Sequence, residues 1–509
     1  MCTRDKEWHK DFFEFDQSKM IKRALISVYD KTNLLSLANK LKVVNAEIIA
    51  TGKTYEYLLE NGIDAIRLSD YTGSPEILNG RVKTLHPTIH VGILADPDLH
   101  SSEMAKYEIH SIDLVVVNLY PFEEHVRKSA SENEIIENID IGGVSLLRSA
   151  AKNFRNVCVL SDPSDYALFD VNCTLAFRTK MARKTFMRVA RYDCKIADWF
   201  SSSLTLPENI NISLTKRTDF RYGENPHQNA SFYSDGELPF KKIQGKELSY
   251  NNLLDLDSAL AIVANFSSPA CAIIKHNNPC GVSVSKDSLY EAYDNAFAAD
   301  SLSAFGGVVA FNQIVTKDVA EKISKTFFEV VVATGITQDA ELMLQTKTNL
   351  RVLIYKKYTQ PDRHFISLLG GFLVQSCNAK LFQDFEVVTN RAPDDEETNQ
   401  LIFAWKVCKY VKSNAIVTAR NYTTVGIGAG QMSRVKSVEI ALEKTQGNQG
   451  LVMASDAFFP FADSIELAAK SGVTAIIQPG GSIKDNEVIE AANKHNIGMI
   501  FTRMRHFRH

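Results

Sequence analysis

The stretch Cys271-Ala-Ile-Ile-Lys-His-Asn-Asn-Pro-Cys-Gly281 joins an apolar run to a cation, an imidazole and two amides. A strand of this kind delivers polar groups to the rim of a buried sheet, where α/β proteins usually hold their active sites. His276 can accept a proton near neutral pH, and Lys275 can stabilise developing charge. We expect Pro279 and Gly281 to turn the chain after the strand. Taken alone, a Lys-His pair is more often a solvated strand end than a catalytic pair, so the remaining motifs must decide.

The composition is that of a soluble globular protein with two or more domains. Its 509 residues are 45% hydrophobic and 23% charged, and the net charge of -3 points neither to nucleic acid nor to an anionic membrane as a partner. Eight cysteines without a Cys-x-x-Cys pair indicate reduced thiols in a cytoplasmic protein. The charged N-terminus lacks the apolar region of a signal peptide, and no apolar run has transmembrane length. We therefore expect a cytoplasmic protein with no membrane or nucleic-acid partner.

The N-terminal part of the chain repeats a pattern of strand, polar turn and helix. Apolar strands at 23–28 and 46–50 are each followed by such a turn, which predicts a mostly parallel sheet with helices on both faces. The turn Thr51-Gly-Lys-Thr54 is not a nucleotide P-loop, because Glu47 stands where that motif requires its first glycine. The same turn could bind phosphate at a helix N-terminus, but helix capping by its threonines is the more common use of these residues.

Two further stretches of this part combine several candidate ligands. Gly80-Arg-Val-Lys-Thr-Leu-His-Pro87 sets two cations beside a hydroxyl, and Asn138-Ile-Asp-Ile-Gly-Gly143 puts an acid and a Gly-Gly turn before a helix. An aperiodic segment at 201–213 then marks a linker to a second domain.

Two cofactor classes are disfavoured in that second domain. Gly426-Ile-Gly-Ala-Gly430 departs from a dinucleotide fingerprint at Gln431, so NAD is not indicated. A zinc deaminase would need a glutamate and a second cysteine where Asn278 and Ser283 stand, so we expect no metal.

Six motifs in this order resemble those of one enzyme family. They are Gly80-Arg-Val-Lys-Thr-Leu-His-Pro87, Asn118-Leu-Tyr-Pro-Phe122, Asp140-Ile-Gly-Gly143, Arg221-Tyr-Gly-Glu-Asn-Pro-His-Gln228, Lys275-His-Asn-Asn-Pro-Cys-Gly281 and Ser455-Asp-Ala-Phe-Phe-Pro-Phe461. Residues 22–509 are similar to the bifunctional enzymes that join AICAR transformylase to IMP cyclohydrolase. Each motif alone is weak evidence, whereas the ordered set is specific.

The resemblance implies an α/β fold with two domains. An N-terminal extension at 1–21 would precede a cyclohydrolase domain at 22–212, which is a methylglyoxal-synthase-like parallel-sheet domain. The larger transformylase region at 213–509 would consist of two cytidine-deaminase-like α/β subdomains. The family also implies a homodimer whose transformylase site is built from both chains.

For the second domain, the resemblance implies formyl transfer from 10-formyltetrahydrofolate to the 5-amino group of the ribotide AICAR. His276 matches the base that takes the amine proton, Lys275 matches the group that stabilises the transition state or protonates the folate nitrogen, and Asn414 matches the catalytic asparagine. The positions that match AICAR-binding residues are Arg221, Tyr222, Gly306, Glu329, Arg434, Phe458 and Arg505. Those that match folate-binding residues are Val435, Asp463, Ser482 and Ile483.

For the first domain, the resemblance implies dehydrative ring closure of formyl-AICAR to IMP. Lys152 matches the proton donor and acceptor of this step, and Lys83, Tyr120 and Asp140 match the groups around the reacting atoms. The positions that match IMP-binding residues are Ser27, Lys31, Thr51, Gly52, Thr54, Arg81, Thr84, Asn118 and Gly142. Neither reaction is expected to need a metal.

This chain departs from the family at two positions of the first domain. Lys53 stands where the family usually has glycine, and Tyr29 stands where it usually has serine. Lys53 could add a phosphate contact, or it could crowd a turn that prefers glycine. One alternative is therefore a transformylase whose first domain is a non-catalytic nucleotide-binding module. Another is a non-catalytic sensor of purine ribotides, which the retained acid–base residues disfavour.

Overall fold

The structure is a computed structural model that describes residues 18–202, 205–445 and 449–509. It divides into two compact units, and the division falls between Ser213 and Leu214. We call the part up to Ser213 unit 1 and the part from Leu214 unit 2. Most of the expected N-terminal extension lies outside the described residues. Within the described part of the chain, no helix combines the length and apolarity that crossing a membrane requires.

Unit 1 is an α/β unit. Its strands are β1 Lys19–Met20, β2 Arg23–Val28, β3 Glu47–Ala50, β4 Ile66–Arg67, β5 Leu114–Asn118, β6 Cys158–Leu160 and β7 Asn172–Cys173. Its helices are α1 Leu34–Val43, α2 Gly52–Glu60, α3 Leu68–Thr72, α4 Pro87–Leu94, α5 Pro97–Lys106, α6 Phe122–Arg127, α7 Glu132–Glu137, α8 Gly142–Lys152 and α9 Leu175–Phe200.

The central sheet of unit 1 has the strand order β4-β3-β2-β5-β6, and all of its pairs are parallel. Every residue of β5 is buried, as expected for a parallel strand covered on both faces. The chain runs outward from β2 through β3 to β4, and it then crosses to the other side of β2, where β5 and β6 follow. Val28 pairs with Asn118 at the carboxyl ends of these two strands. This crevice is a topological switch point, the usual ligand site of an open parallel sheet.

Unit 2 contains one large sheet and several two-stranded ribbons. Its strands are β8 Thr215–Phe220, β9 Ala230–Ser234, β10 Phe240–Gln244, β11 Ala270–Lys275, β12 Asn278–Val284, β13 Val308–Phe311, β14 Ile314–Val315, β15 Val330–Ala333, β16 Gly335–Ile336, β17 Arg351–Tyr355, β18 Arg363–Leu368, β19 Gly371–Ser376, β20 Glu386–Val387, β21 Ile416–Arg420, β22 Thr423–Gly428, β23 Leu451–Ser455, β24 Val473–Gln478 and β25 Gly498–Phe501. Its helices are α10 Tyr250–Val263, α11 Leu289–Ala299, α12 Ser301–Ala304, α13 Lys317–Ile323, α14 Gln338–Gln345, α15 Asp395–Cys408, α16 Arg434–Leu442, α17 Asp463–Lys470 and α18 Asp485–Lys494.

The large sheet consists of two similar halves. Its strand order is β10-β17-β15-β13-β11-β12-β22-β21-β23-β24-β25-β20. In each half a helix leads into a β-hairpin, a second helix and then parallel strands, so that α10, β11 and β12 correspond to α15, β21 and β22. The halves meet where Ser283 of β12 pairs with Thr423 of β22. Unit 2 is therefore a mixed sheet built by repetition of one α/β arrangement.

The same glycine contact recurs in the two halves. A Cβ atom at Gly281 would lie 2.0 Å from the carbonyl oxygen of Ala296, and one at Gly426 would lie 2.0 Å from that of Ala441. Only glycine allows α11 and α16 to approach their hairpins this closely. Gly281 thus serves packing within β12 rather than a turn, which corrects the expectation that Pro279 and Gly281 turn the chain.

Candidate active sites

Many of the polar residues singled out in unit 2 lie at one edge of the large sheet, by which we mean the side where the strands of one direction end. Strands β11, β22, β23, β24 and β25 run in one direction and end at this edge, while β13, β15 and β21 begin there. The predicted residues next to these strand ends are Lys275, His276, Gly306, Glu329, Asn414, Arg434, Val435, Phe458, Asp463, Ser482, Ile483 and Arg505. Residues far apart in the chain therefore share one rim because of the strand directions alone.

The turn between β11 and β12 presents His276. Lys275 pairs with Asn278, so the loop consists of His276 and Asn277, whose φ angles are 52° and 62°. Two-residue hairpin loops of type I′ require positive φ at both positions. Because neither residue is glycine, the left-handed backbone costs energy that surrounding contacts must offset.

Helix α10 supplies those contacts. The carboxylate of Asp255 accepts the backbone N–H of Asn277 at 2.6 Å, and Ser258, one turn further along α10, donates its hydroxyl to the Asn277 side chain. Arg508 in turn donates to the Ser258 hydroxyl at 2.9 Å. Burial raises the pKa of Asp255, whereas the N–H of Asn277 and the charge of His276 act to lower it.

Lys275 reaches the neighbouring loop that leads into β13. Its Nζ donates to the carbonyl oxygen of Phe305 at 2.8 Å, directly before Gly306. Gly306 has a φ of 75°, and Glu329 donates its N–H to the carbonyl oxygen of Gly307 at 3.0 Å. The structure thus brings Lys275, Gly306 and Glu329 together, although the Glu329 carboxylate is occupied by an ion pair with Arg351.

The loop before β21 brings Asn414 towards the same turn. Asn278 accepts the N–H of Lys412 at 3.1 Å and donates to the carbonyl oxygen of His276 at 3.3 Å. Asn414, which follows a cis peptide bond, donates its amide to the carbonyl oxygen of Gln431 at 2.9 Å. Asn278 therefore links the Asn414 loop to the His276 turn, and Arg508 provides a second link by bonding to both Ser413 and Ser258.

Arg434 is buried, and its guanidinium binds other side chains of the protein. Its guanidinium donates to Asn414 Oδ1 at 2.7 Å, to Ser455 Oγ at 2.8 Å and to Asp456 Oδ1 at 2.6 Å. These bonds fix the orientation of the Asn414 amide. Both terminal nitrogens of Arg434 are thus already engaged with protein groups, which limits how it could hold a ribotide.

The remaining predicted residues lie further out along the edge. Arg221 and Tyr222 follow Phe220, whose ring contacts Tyr250 at the start of α10 with 6.3 Å between centroids. The other predicted residues that take no part in the hydrogen bonds described above are Val435 at the start of α16, Asp463 at the start of α17, the exposed Phe458 and Arg505, and Ser482 and Ile483 after β24. At about 4.8 Å per strand, β24 lies roughly 24 Å from β11, so Ser482 and Ile483 sit at a distance from His276.

A second group of predicted residues lies at the switch point of unit 1. Asn118 accepts the N–H groups of Tyr29 and Asp30 at 2.7 and 2.9 Å and donates to the carbonyl oxygen of Asp30 at 2.7 Å. The Thr51 hydroxyl donates to Ser27 Oγ at 3.0 Å. Thr51 occupies the N-cap position of α2 without a side-chain cap, so capping is not the use of its hydroxyl.

Asp140 organises the neighbouring part of this site. It accepts the N–H of Gly143 at 2.6 Å, and burial raises its pKa although the Lys83 cation and the N–H of Tyr120 act to lower it. A Cβ at Gly143 would lie 2.5 Å from Asp140 Oδ2, and one at Gly142 would lie 2.3 Å from Thr84 Oγ1. The Gly-Gly pair therefore lets α8 begin directly against Asp140 and Thr84.

Comparisons with known proteins agree over nearly the whole chain. The family model described as AICARFT/IMPCHase bienzyme matches residues 150–444, and the model described as MGS-like domain matches residues 33–145. The Bifunctional purine biosynthesis protein PurH of Caldicellulosiruptor saccharolyticus is 48% identical over 515 residues, covering 96% of this chain and 100% of the relative. The protein of the same name from Clostridium perfringens is 47% identical with the same coverage.

The chain belongs to the AICARFT/IMPCHase bienzyme family. The resemblance inferred from six motifs is thereby confirmed, as is the α/β fold class with an MGS-like N-terminal domain.

Not every residue singled out from the family resemblance lies near the others. Lys152 ends α8, about 15 Å along the helix axis from Gly142 at 1.5 Å per residue. It lines a cavity of about 610 Å³ together with Arg148 and Arg183. Arg81 is exposed and forms an ion pair with Glu137.

The remaining IMP-binding positions lie around α2. Lys31 lies 5.8 Å from the ring of Tyr57, and the Thr54 hydroxyl donates to the carbonyl oxygen of Val28 at 3.1 Å. Gly52 is the first residue of α2, and a Cβ there would meet the Glu76 side chain at 3.4 Å.

The two departures from the bienzyme family are accommodated without strain. Lys53 is exposed in the first turn of α2 with ordinary helical geometry, so it does not crowd a turn. Tyr29 packs edge-to-face on Tyr120 with 5.8 Å between ring centroids. Tyr29 therefore adds an aromatic wall where the family usually has a small hydroxyl.

Sequence reasoning missed the side chains that hold the turn of His276 and Asn277. Asp255 and Ser258 are three residues apart and so share one face of α10, a spacing that could have indicated them. Arg508 carried no local signal. Within the described ranges, no group of three or more histidine, cysteine, aspartate or glutamate residues is arranged to hold a metal ion.

Proposed function

We propose that this chain carries out the last two steps of IMP synthesis, formyl transfer to AICAR in unit 2 and ring closure in unit 1. The observation that carries the proposal is the rim of the large sheet, where Asn278 joins the His276 turn to the loop of Asn414 and the adjacent Lys275 bonds to the carbonyl oxygen of Phe305. Membership of the bienzyme family supports the same pair of reactions.

In formyl transfer, the amine nitrogen of AICAR forms a bond to the formyl carbon and the bond from that carbon to the folate nitrogen breaks. The amine is a poor nucleophile because it is conjugated with the ring, so a base must remove its proton as it attacks. We assign that role to His276, which the turn exposes at the rim. Lys275 would protonate the departing nitrogen, and Asn414 is the third residue that we assign to this step.

The formyl donor is a reduced folate, which we propose is 10-formyltetrahydrofolate. The exposed side chains of Phe458 and Ile483 and the carboxylate of Asp463 provide apolar and polar contacts of the kind a pterin ring needs. The folate supplies the one-carbon chemistry, and the protein supplies position and charge.

In ring closure, the carboxamide nitrogen of formyl-AICAR attacks the formyl carbon and water leaves. We assign this step to Asp140 together with Lys83 and Tyr120, because Asp140 interacts with the charge of Lys83 and with the backbone N–H of Tyr120. The ribotide phosphate would meet the amides and hydroxyls at the switch point, where α2 begins at Gly52.

The purified protein, given AICAR and 10-formyltetrahydrofolate, should release IMP. Supplying formyl-AICAR directly then tests ring closure alone. A protein that formylates AICAR but leaves formyl-AICAR unchanged would be a transformylase with a non-catalytic first unit. A protein that binds AICAR without turnover would be a sensor.

Replacing Lys152 with alanine should lower the rate of ring closure by roughly 10²-fold or more if it is the proton donor and acceptor. Formyl transfer should be unchanged, because Lys152 lies in unit 1. Arg183→Ala removes a cation from the same cavity and is the matched control. Ring closure within threefold of the wild-type rate would move the proton transfer to Lys83 or Asp140, which lie near the other end of α8.

We also propose that the protein is a cytoplasmic homodimer. The ribbon of β18 and β19 exposes Leu369, Phe372 and Leu373, and an isolated two-stranded ribbon is marginally stable without a partner surface. Light scattering on the preparation used for the assays should give twice the chain mass. A monomeric mass at working concentrations would contradict the dimer.

A further inference from the structure

The contact by which Asp255 of α10 holds the His276 turn, which we call the clamp, has a counterpart in the other half of the sheet. The hairpin of β21 and β22 turns at Asn421 and Tyr422, whose φ angles are 49° and 54°. There the N–H of Asn421 is accepted by Gln400 Oε1 of α15 at 2.7 Å. In both halves the helix that precedes the hairpin thus supplies a side-chain acceptor for a left-handed turn.

The two clamps differ in charge. The N–H of Asn421, the first loop residue, is accepted by a neutral amide, whereas the N–H of Asn277, the second loop residue, is accepted by the carboxylate of Asp255. In the second hairpin a carboxylate, that of Glu396, contacts the side chain of Tyr422 at 3.2 Å and not the backbone of the turn. A neutral acceptor is therefore sufficient to fix this backbone geometry. The backbone geometry of the turn alone therefore does not require a carboxylate at position 255.

We infer that Asp255 is a positioning residue for formyl transfer, which holds His276 in its left-handed turn and stabilises the imidazolium that forms when His276 takes the amine proton. This inference rests on the function proposed above. Asp255 touches no substrate and takes no proton: the proton moves from the AICAR amine to the imidazole, and the half-buried carboxylate offsets the resulting positive charge. The carboxylate of Asp255 accepts the N–H of Asn277 at 2.6 Å, so its charge lies beside the residue that follows His276.

Ser258 completes the clamp from the same face of α10. It donates to the Asn277 side chain and accepts from Arg508, which also joins Tyr410 through its carbonyl oxygen at 2.6 Å. The turn is thus also fixed by the hydrogen bond between Ser258 and Asn277, which does not involve Asp255. Removal of the Asp255 charge should consequently leave the fold of the turn intact.

The variant Asp255→Asn separates charge from shape, because an asparagine oxygen can still accept the N–H of Asn277. We expect kcat for formyl transfer to fall roughly 30- to 100-fold while KM for AICAR changes less than threefold. Ring closure of supplied formyl-AICAR and the urea midpoint of unfolding should match the wild type. Asp294→Asn, which removes a carboxylate of unit 2 that pairs with Lys322, should leave kcat unchanged.

Each outcome bears on the inference. An Asp255→Asn enzyme with wild-type kcat would overturn it, as would equal losses in Asp255→Asn and Asp294→Asn together with a lowered urea midpoint. Asp255→Ala provides a second measurement, since it removes acceptor and charge together and should lower kcat at least as far as Asp255→Asn. If the wild-type protein itself fails to formylate AICAR, the proposed function fails, and this result is distinct from a fully active Asp255→Asn variant.

Discussion

Replacing His276 with alanine is expected to lower kcat for formyl transfer by roughly 10³-fold, because the amine of AICAR then loses its general base. Lys275 is assigned the opposite role of proton donor, and its Nζ donates to the carbonyl oxygen of Phe305. KM for AICAR should change little, because the imidazole removes the amine proton during the reaction and does not bind the phosphate of the ribotide. The measurement is steady-state turnover of AICAR with 10-formyltetrahydrofolate.

Two controls make the His276→Ala result specific. Ring closure of formyl-AICAR by the same preparation should proceed at the wild-type rate, since His276 lies in unit 2 and that reaction is assigned to unit 1. His495→Ala removes a histidine of unit 2 that contacts Glu466 and lies outside the His276 network. Equal losses in both reactions, in a protein that unfolds like the wild type, would refute the separation into two sites.

The strand that carries this residue was predictable, but its turn was not. The apolar run of β11 and the polar residues after it follow directly from the sequence. The rules for proline and glycine placed the turn at Pro279 and Gly281, whereas the structure places it at His276 and Asn277. Contacts from α10 and from the C-terminal segment stabilise that backbone, and such distant contacts leave no trace in the local sequence.

Matching residues to a family predicts which side chains matter more readily than where they lie. Lys152 and Asp140 stand close in the sequence, yet α8 carries Lys152 about 15 Å beyond its first residue. Helix length alone could have predicted this separation. Arg434 illustrates the opposite case, because its burial against Asp456 depends on strand pairing that no short motif encodes.

Replacing Asp140 with asparagine should lower the rate of ring closure by roughly 10²- to 10³-fold. Asp140 accepts the N–H of Gly143 and its carboxylate attracts the Lys83 cation, and the amide of asparagine would remove that attraction. Formyl transfer in unit 2 should be unaffected. Turnover of supplied formyl-AICAR measures the effect, and Asp170→Asn, an exposed acid of unit 1, is the control.

The pH dependence of ring closure distinguishes an electrostatic role from a structural one. Because burial raises the pKa of Asp140, its ionised form is lost at a higher pH than for an ordinary carboxylate as the solution is acidified. Wild-type ring closure should therefore decline on the acid side through that raised pKa, and Asp140→Asn should lack this decline while being slow throughout. A variant that is slow but keeps the acid limb would assign the titration to another group and reduce Asp140 to holding the Gly-Gly turn. Since Gly143 donates to the same carboxylate, only the charge-dependent part of the rate can separate the two roles.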